Sequence, residues 1–418
     1  MTRPIRSTPP VYILGGAQTD FARNWTREGH DLSALITETA QGALAHAKVD
    51  AREVEVGHVA SFIPELTTRQ SHLGGLLVEA DRGFTGMPTS RHEAACAAGG
   101  AAVLAAMADL NAGRYDLALV LGVELMRAMS ATQSQKLLEV AGWVARETGE
   151  LAWPWPELFD RIAGEYDRRY GIDHKHLGMI ARKNFSNAKR NPLAQTRRWD
   201  FNERSFDTDD QGNPVVSGRV RRQDCSQVTD GGAAVVLASE RFVREHCRRE
   251  GRALETYARI QGWGHRTARM TLADKLAESR GDEYVFPHVR GAIFDAFLRA
   301  GVRGAQDVDV FETHDCFTVT EYMAIEHFGL APPGRAWQVI EDGAVMLGGS
   351  KPVNASGGLI GAGHPVGATG VRMVLDLARQ VTGTADGYQV AGARRGASLN
   401  IGGSATTAVC FVVEGSPA

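Results

Sequence analysis

The sequence predicts an α/β fold with helices packed on both faces of its sheets, and three observations predict it. Strand-like and helix-like stretches alternate along most of the chain, the pattern of sheets covered by helices. Runs such as Leu117-Ala118-Leu119-Val120-Leu121 are apolar throughout, as a central strand buried on both sides requires. The two halves also echo one another. Each carries a Gly/Ala-rich loop, then a helix, then an apolar strand, which points to a duplicated unit. At 418 residues the chain exceeds one simple core and predicts two or three domains.

In order, Val11 to Gly16 reads as a first strand and Leu32 to Ala47 as a helix with Leu35, Ile36, Ala40 and Leu44 on one side. Val54 to Phe62 is a second strand, and Ser71 to Leu77 is short and helical. From Arg91 to Glu124 the order is loop, cysteine, helix, turn, buried strand. The helix, Ala97 to Leu110, is apolar on every side and therefore buried on every side; Gly113 ends it. Between Ser130 and about Asp224 strong strands are absent, and tryptophans and prolines gather at Trp153-Pro154-Trp155-Pro156. A basic stretch follows (Arg168, Arg169, Lys175, Arg182, Lys183, Lys189, Arg190, Arg197, Arg198), with Leu177, Ile180, Ala181, Phe185 and Ala188 at helical spacing. This reads as an insertion, its charge either a solvated helix face or a surface toward a phosphorylated ligand. Cys225 to Ser239 returns to a Gly-rich turn and strand; a helix from Glu240 to Arg249 and a strand from Ala258 to Gly264 come next. A helix within Tyr284 to Ala300, a strand Val308 to Phe311 and a helix Val319 to Phe328 lead to the glycine-rich stretch 354–370, a further helix, and a closing turn and strand within Ala397 to Val413.

Composition excludes several classes. With 43% hydrophobic and 23% charged residues, this is an ordinary globular chain. A net charge of −3 makes no case for nucleic-acid or membrane-surface binding. Five cysteines (96, 225, 247, 316, 410) are odd in number and lack metal-finger spacing, arguing for a reducing compartment. MTRPIRSTPPVYILGG has no apolar h-region, no apolar run reaches about eighteen residues, and EGSPA is not a peroxisomal address. A cytoplasmic protein without a membrane span is expected.

Four loops carry chemically capable residues: Cys96; His314 with Cys316; His364; and Asn400-Ile401-Gly402. Cys96 sits at the mouth of a helix, where free backbone N–H groups and the macrodipole lower a thiol's pKa. Taken alone, it reads better as a small buried hydrophobe. His364 is flanked by Pro365 and by glycines at 358, 361, 363, 367 and 370, which let the backbone approach a ligand closely. The stretch lacks a GxxxxGK[ST] phosphate loop and the spacing of a dinucleotide fingerprint.

HEAACAAGG, TDGGAA, ETHDCF, NASGGLIGAGHPVGATG and LNIGGSATTAVCFVV, in that order, resemble the thiolase superfamily along essentially the whole chain. HDCF, and Asn400 where most thiolases carry a late cysteine, resemble its sterol carrier protein-type branch, as does YGIDHKHLGMIARKNFSNAKRNPLA. The resemblance implies two duplicated α/β core domains in a five-layered αβαβα arrangement. The first would span residues 1–130 and 225–255, the inserted loop domain 131–224, and the second core domain 256–418. It implies an acyltransferase in which Cys96 attacks an acyl-CoA thioester, His364 takes its proton, and Cys316 serves the second half-reaction. His314 and His364 would meet the enolate oxygen, and the backbone N–H groups of Cys96 and Gly402 the tetrahedral intermediate. Ser226 and Asn400 would contact substrate. No tightly bound cofactor or metal is implied; coenzyme A is substrate and product. Cys225, Cys247 and Cys410 are expected to be structural, and the basic insertion gains a partner in the CoA phosphates. A homodimer or homotetramer is expected.

Overall fold

The computed structural model describes residues 9–416. Residues 1–8, on which part of the reading of the N-terminal stretch falls, and residues 417–418 with the last of EGSPA, lie outside them. The strands are β1 (Val11–Gln18), β2 (Val56–Ala60), β3 (Thr89–His92), β4 (Leu117–Glu124), β5 (Val215–Ser217), β6 (Val220–Arg221), β7 (Gly231–Ala238), β8 (Ala258–Thr267), β9 (Val310–Thr313), β10 (Arg395–Gly402) and β11 (Thr407–Glu414). Nine of them follow one another in the order β3-β2-β4-β7-β1-β8-β11-β10-β9.

The duplication is visible in how these strands pair. In the first half β2 is parallel to β4, β4 antiparallel to β7, and β7 antiparallel to β1. In the second, β9 is parallel to β10, β10 antiparallel to β11, and β11 antiparallel to β8. The parallel β2–β3 pair of the first half has its counterpart in a single parallel bridge, Phe311 to Val353. The halves meet where β1 and β8 pair from Val11↔Ile260 to Ile13↔Ala258.

The main helices are α1 (Leu32–Ala47), α2 (Leu73–Val78), α3 (Ala98–Asn111), α4 (Pro154–Tyr170), α5 (His174–Ala188), α6 (Glu240–Glu250), α7 (Pro287–Ala300), α8 (Thr318–Phe328) and α9 (Thr369–Thr382). Strand alternation sorts the core into layers. Leu119, Leu121 and Val236 pack outward on α1, α2 and α6. Their neighbours Ala118, Val120 and Val235 pack inward on Val103 and Ala106 of α3 and Val371 and Val374 of α9. The same two helices receive Val409, Phe411 and Val413 from the second half, while Leu399, Cys410 and Val412 face α7 and α8. The result is the five-layered αβαβα arrangement. The Ala/Gly composition of α3 follows from its central place: a methyl group on Gly99 would stand 2.7 Å from Val371 N and 2.9 Å from Gly370 Cα.

The Trp-Pro cluster, to which the sequence reading assigned no element, opens α4, because proline costs nothing in a first turn whose N–H groups are unpaired anyway. One element differs from that reading. The closing stretch forms two paired strands, β10 and β11, joined through Gly403 to Thr406, because ASLNI is itself buried. Among the described residues no helix is long and apolar enough to cross a membrane.

Candidate active site

Cys96 lies between β3 and α3, presented by a turn in which Ala95 takes a left-handed φ of 50°. This conformation costs a non-glycine residue about 1–3 kcal/mol and persists where the surroundings enforce it. The helix mouth does not acidify the thiol. Burial pushes Cys96 up to about 12, and the Glu124 charge adds to it, against the backbone N–H groups of Gly403 and Cys96. The sequence expectation of a lowered pKa is corrected here: desolvation outweighs the helix end. Cys96 rests as a thiol, and to act as a nucleophile it would need a base.

Two imidazoles stand beside it. One ligating atom from each of Cys96, His314 and His364 lies within 4.8 Å of the others. The two imidazoles stand edge to face, centroids 5.2 Å apart and planes at 86°. His314 follows β9 and its backbone N–H donates to Leu399 O at 2.9 Å. His364 donates its backbone N–H to Thr229 Oγ1 at 2.8 Å, which explains the TDGGAA turn. Burial holds the His364 imidazole down to about 3, with the Arg372 charge adding to it. His314 is likewise held well below the usual range by burial, then by His364 and Arg372. Both rings are therefore neutral. His364 Nδ1 lies 2.7 Å from Thr369 Oγ1, whose proton goes to Pro365 O at 3.0 Å. His364 Nδ1 then carries the ring proton, leaving Nε2, buried and without a partner, as a lone pair.

Buried carboxylates brace these loops. Glu124, at the end of β4, accepts the N–H groups of Phe62 at 2.8 Å, Ile63 at 3.3 Å and Gly367 at 2.9 Å, and the Ser61 hydroxyl at 3.3 Å. Asp315 accepts the N–H groups of Leu359 and Ile360 and the Asn184 amide, so α5 of the insertion reaches the HDCF loop. Burial raises Glu124 and Asp315 to about 7. The sequence reading missed Glu124, Thr229 and Thr369 as supports; the one visible signal was an acid ending an otherwise apolar strand.

A cavity of about 210 Å³ opens onto Cys96 and His364 and is lined also by Cys316, Ser226, Arg222 and Gly403; His314 stands outside that lining, within 4.8 Å of both. Met126, Trp155, Phe159 and Phe317 form its apolar wall, the two phenylalanines stacked 4.2 Å apart. Cys316 is buried, and burial pushes its thiol well above the ordinary range, with the Cys96 and Asp315 charges adding to it. Ser226 lines the cavity, and its N–H donates to Cys316 O at 2.8 Å.

Several expectations change. Gly403, not Gly402, lines the cavity and turns its N–H to the Cys96 sulfur, since Gly402 still belongs to β10. Asn400 lies outside the cavity lining: it accepts Gly100 N–H at 3.2 Å and donates to Cys96 O at 2.9 Å, behind the Cys96 thiol. Cys225 packs against the core and also lines the cavity, because the strand begins only at Gly231. Cys247 and Cys410 are buried, Cys410 within β11. The basic insertion is largely neutralised by its own contacts: Arg168–Glu165 at 2.8 Å, Lys175–Glu341 at 2.7 Å, Lys183–Glu321 at 2.9 Å and Arg197–Asp20 at 2.8 Å.

A cysteine from one half of a duplicated five-layered unit, meeting two imidazoles from the other, is the arrangement of the thiolase type of acyl-transfer protein. The comparisons agree. Residues 11–198 match the thiolase N-terminal domain and residues 272–415 the thiolase C-terminal domain-like family. The acetyl-CoA acetyltransferase of Methanothermobacter thermautotrophicus is 30% identical over 403 residues, 96% of this chain and 98% of that protein. Sterol carrier protein 2 of Gallus gallus is 30% identical over 417 residues, 97% of this chain and 72% of that protein. Among solved structures, an Ltp2-ChsH2(DUF35) aldolase superposes with a TM-score of 0.77 at 19% identity, over 98% of both chains. Human mitochondrial 3-ketoacyl-CoA thiolase does so at 0.70 and 16%, over 98% of this chain and all of that one. The chain belongs to the thiolase superfamily, on its sterol carrier protein 2-type branch.

Proposed function

We propose that the protein is an active acyl-CoA acyltransferase that works by a ping-pong route through acyl-Cys96, condensing two acyl-CoA units or cleaving a 3-oxoacyl-CoA. The observation that carries this reading is the convergence of Cys96, His314 and His364 to within 4.8 Å beside a cavity that also holds Cys316. Cys96 Sγ attacks the thioester carbonyl while its proton passes to His364 Nε2, and the departing CoA sulfur takes that proton. In condensation, Cys316 removes the α-proton of a second acyl-CoA, and the carbanion displaces Cys96 from the acyl carbon. In thiolysis Cys316 returns that proton. The enolate oxygen meets the N–H of His314, while His364, whose Nε2 is a lone pair once the CoA sulfur has taken its proton, serves the Cys96 proton; the tetrahedral intermediate meets the N–H groups of Cys96 and Gly403. Each such donor is worth about 3 kcal/mol in the transition state.

Coenzyme A is a substrate here, its pantetheine arm beside Ser226 and its phosphates toward Arg222, the cation on the cavity lining. The aromatic wall favours an apolar acyl group, and turnover of 3-oxoacyl-CoA substrates of graded length measures how much of one it takes. A second copy pairs on the open outer edge of β3, which ends the strand order; sedimentation tests this against a monomer. Acetyl-CoA should leave an acetyl adduct on Cys96, seen by mass spectrometry and absent from Cys96→Ser. No adduct in the wild type would favour instead an acyl-CoA-binding homologue or a partner-dependent carbon–carbon lyase subunit.

A further inference from the structure

We propose that Asn400 is a positioning residue that sets the tautomer of His314, so that this ring presents an N–H toward Cys96 and His364 while His364 presents a lone pair. Its catalytic consequence rests on the acyl-transfer reading; the tautomer itself does not.

The Asn400 carboxamide has no freedom to turn. Gly100 N–H donates to Oδ1 at 3.2 Å, and Nδ2 donates to Cys96 O at 2.9 Å. A reversed amide would set donor against donor at Gly100 and acceptor against acceptor at Cys96. One hydrogen of Nδ2 is thus committed to Cys96 O, and the other faces His314 Nδ1 at 3.4 Å. A ring nitrogen that faces a donor is the unprotonated one, so the single proton of the neutral ring sits on Nε2. His364 is set the opposite way, with its Nδ1 proton given to Thr369 Oγ1 at 2.7 Å. The two rings are therefore not interchangeable. His364 accepts the Cys96 proton, and His314 offers a fixed donor to the oxygen where charge develops. Asn400 is buried and outside the cavity lining, so it acts through His314 and through the carbonyl of the nucleophile. The same contacts tie the first turn of α3 in the first half to β10 in the second.

Nitrogen NMR of histidine-labelled protein reads the tautomer directly. For the wild type the expected state of His314 is protonated Nε2 and bare Nδ1. Asn400→Asp replaces the donor by an acceptor and should invert that state. It should lower kcat by about 10²–10³-fold with little change in KM, the loss of one oxyanion donor. Acetylation of Cys96, which depends on His364, should survive. A wild-type His314 with protonated Nδ1, or doubly protonated, overturns the proposal, as does Asn400→Asp turnover within about threefold of wild type. If Asn400→Asp fails to fold, the wild-type tautomer alone decides. Absence of any acetyl adduct on wild-type Cys96 would sink the acyl-transfer reading and leave the tautomer measurement standing.

Discussion

Thr369 fixes the proton on His364. Its hydroxyl lies 2.7 Å from Nδ1 and gives its own hydrogen to Pro365 O at 3.0 Å, so Nε2 is left as a base. Thr369→Val removes that acceptor while keeping the side-chain shape. The stranded Nδ1–H costs about 1–3 kcal/mol, and the ring can escape this by moving its proton to Nε2, which abolishes the base. We expect Cys96 acetylation to slow by about 10²-fold, the ordinary contribution of a positioned base, with the fold retained. Rapid-quench mass spectrometry of the adduct checks it; an unchanged rate would show that another group holds the ring.

The Cys96 thiol, pushed up to about 12 by burial and by Glu124, should be a slow nucleophile in the free protein. Below its pKa the thiolate fraction rises tenfold per pH unit. Alkylation of Cys96 by iodoacetamide should therefore climb steadily from about pH 7 to pH 10 without a plateau, whereas an acidified thiol would level off near neutrality. Peptide mapping after timed alkylation separates this site from Cys225, which shares the cavity.

Glu124 gives the site a pH-linked stability. Its carboxyl is raised from an ordinary 4.5 to about 7 by burial, ahead of the opposing N–H groups of Phe62, Gly367 and Ile63. An acid whose pKa is higher folded than unfolded contributes stability that is full below about 4.5 and is lost as pH rises through about 7. A shift of that size corresponds to about 3 kcal/mol for this fully buried group. Buried histidines act in the opposite direction over part of this window, so the comparison must be with Glu124→Gln. Relative to that variant, the wild type should lose Tm between about pH 5 and pH 7.5. Parallel pH curves for the two would assign the effect to Asp315 and Glu312, also raised to about 7.

What was legible in the sequence depended on distance along the chain. Leu117 to Leu121 and the Ala/Gly run of α3 declared themselves locally, because one strand or one helix is buried on both sides by its own composition. His364 showed through its glycines, since close backbone approach has a residue signature. Glu124 did not: its acceptors serve Phe62 and Gly367, 62 and 243 positions away, and no local pattern encodes such a contact. Asn400 was assigned to substrate for the same reason, its partners Gly100 and Cys96 lying about 300 positions upstream. The pKa of Cys96 was misjudged because a helix end is visible in sequence and the depth of burial around it is not. The helix α4 was left unassigned because the prolines that open it serve as a first turn, where they need no N–H partner.

Cys316 should make the two directions of the reaction respond differently to pH. Burial, and then the Cys96 and Asp315 charges, push its thiol well above 9, so near neutrality it is an acid and not a base. Thiolysis needs that acid to protonate the departing enolate and should be nearly flat between about pH 7 and pH 9. Condensation needs the thiolate and should rise about tenfold per pH unit across the same range, as the ionised fraction grows. Cys316→Ala should still form acetyl-Cys96 and should lose both carbon–carbon steps by about 10²–10⁴-fold, the usual contribution of a general acid or base. Steady-state rates in the two directions, set beside the adduct mass for the variant, decide it. If Cys316→Ala condenses at the wild-type rate, the proton is carried by another group on the cavity wall, and Cys225, partly exposed beside Ser226, is the next residue to remove.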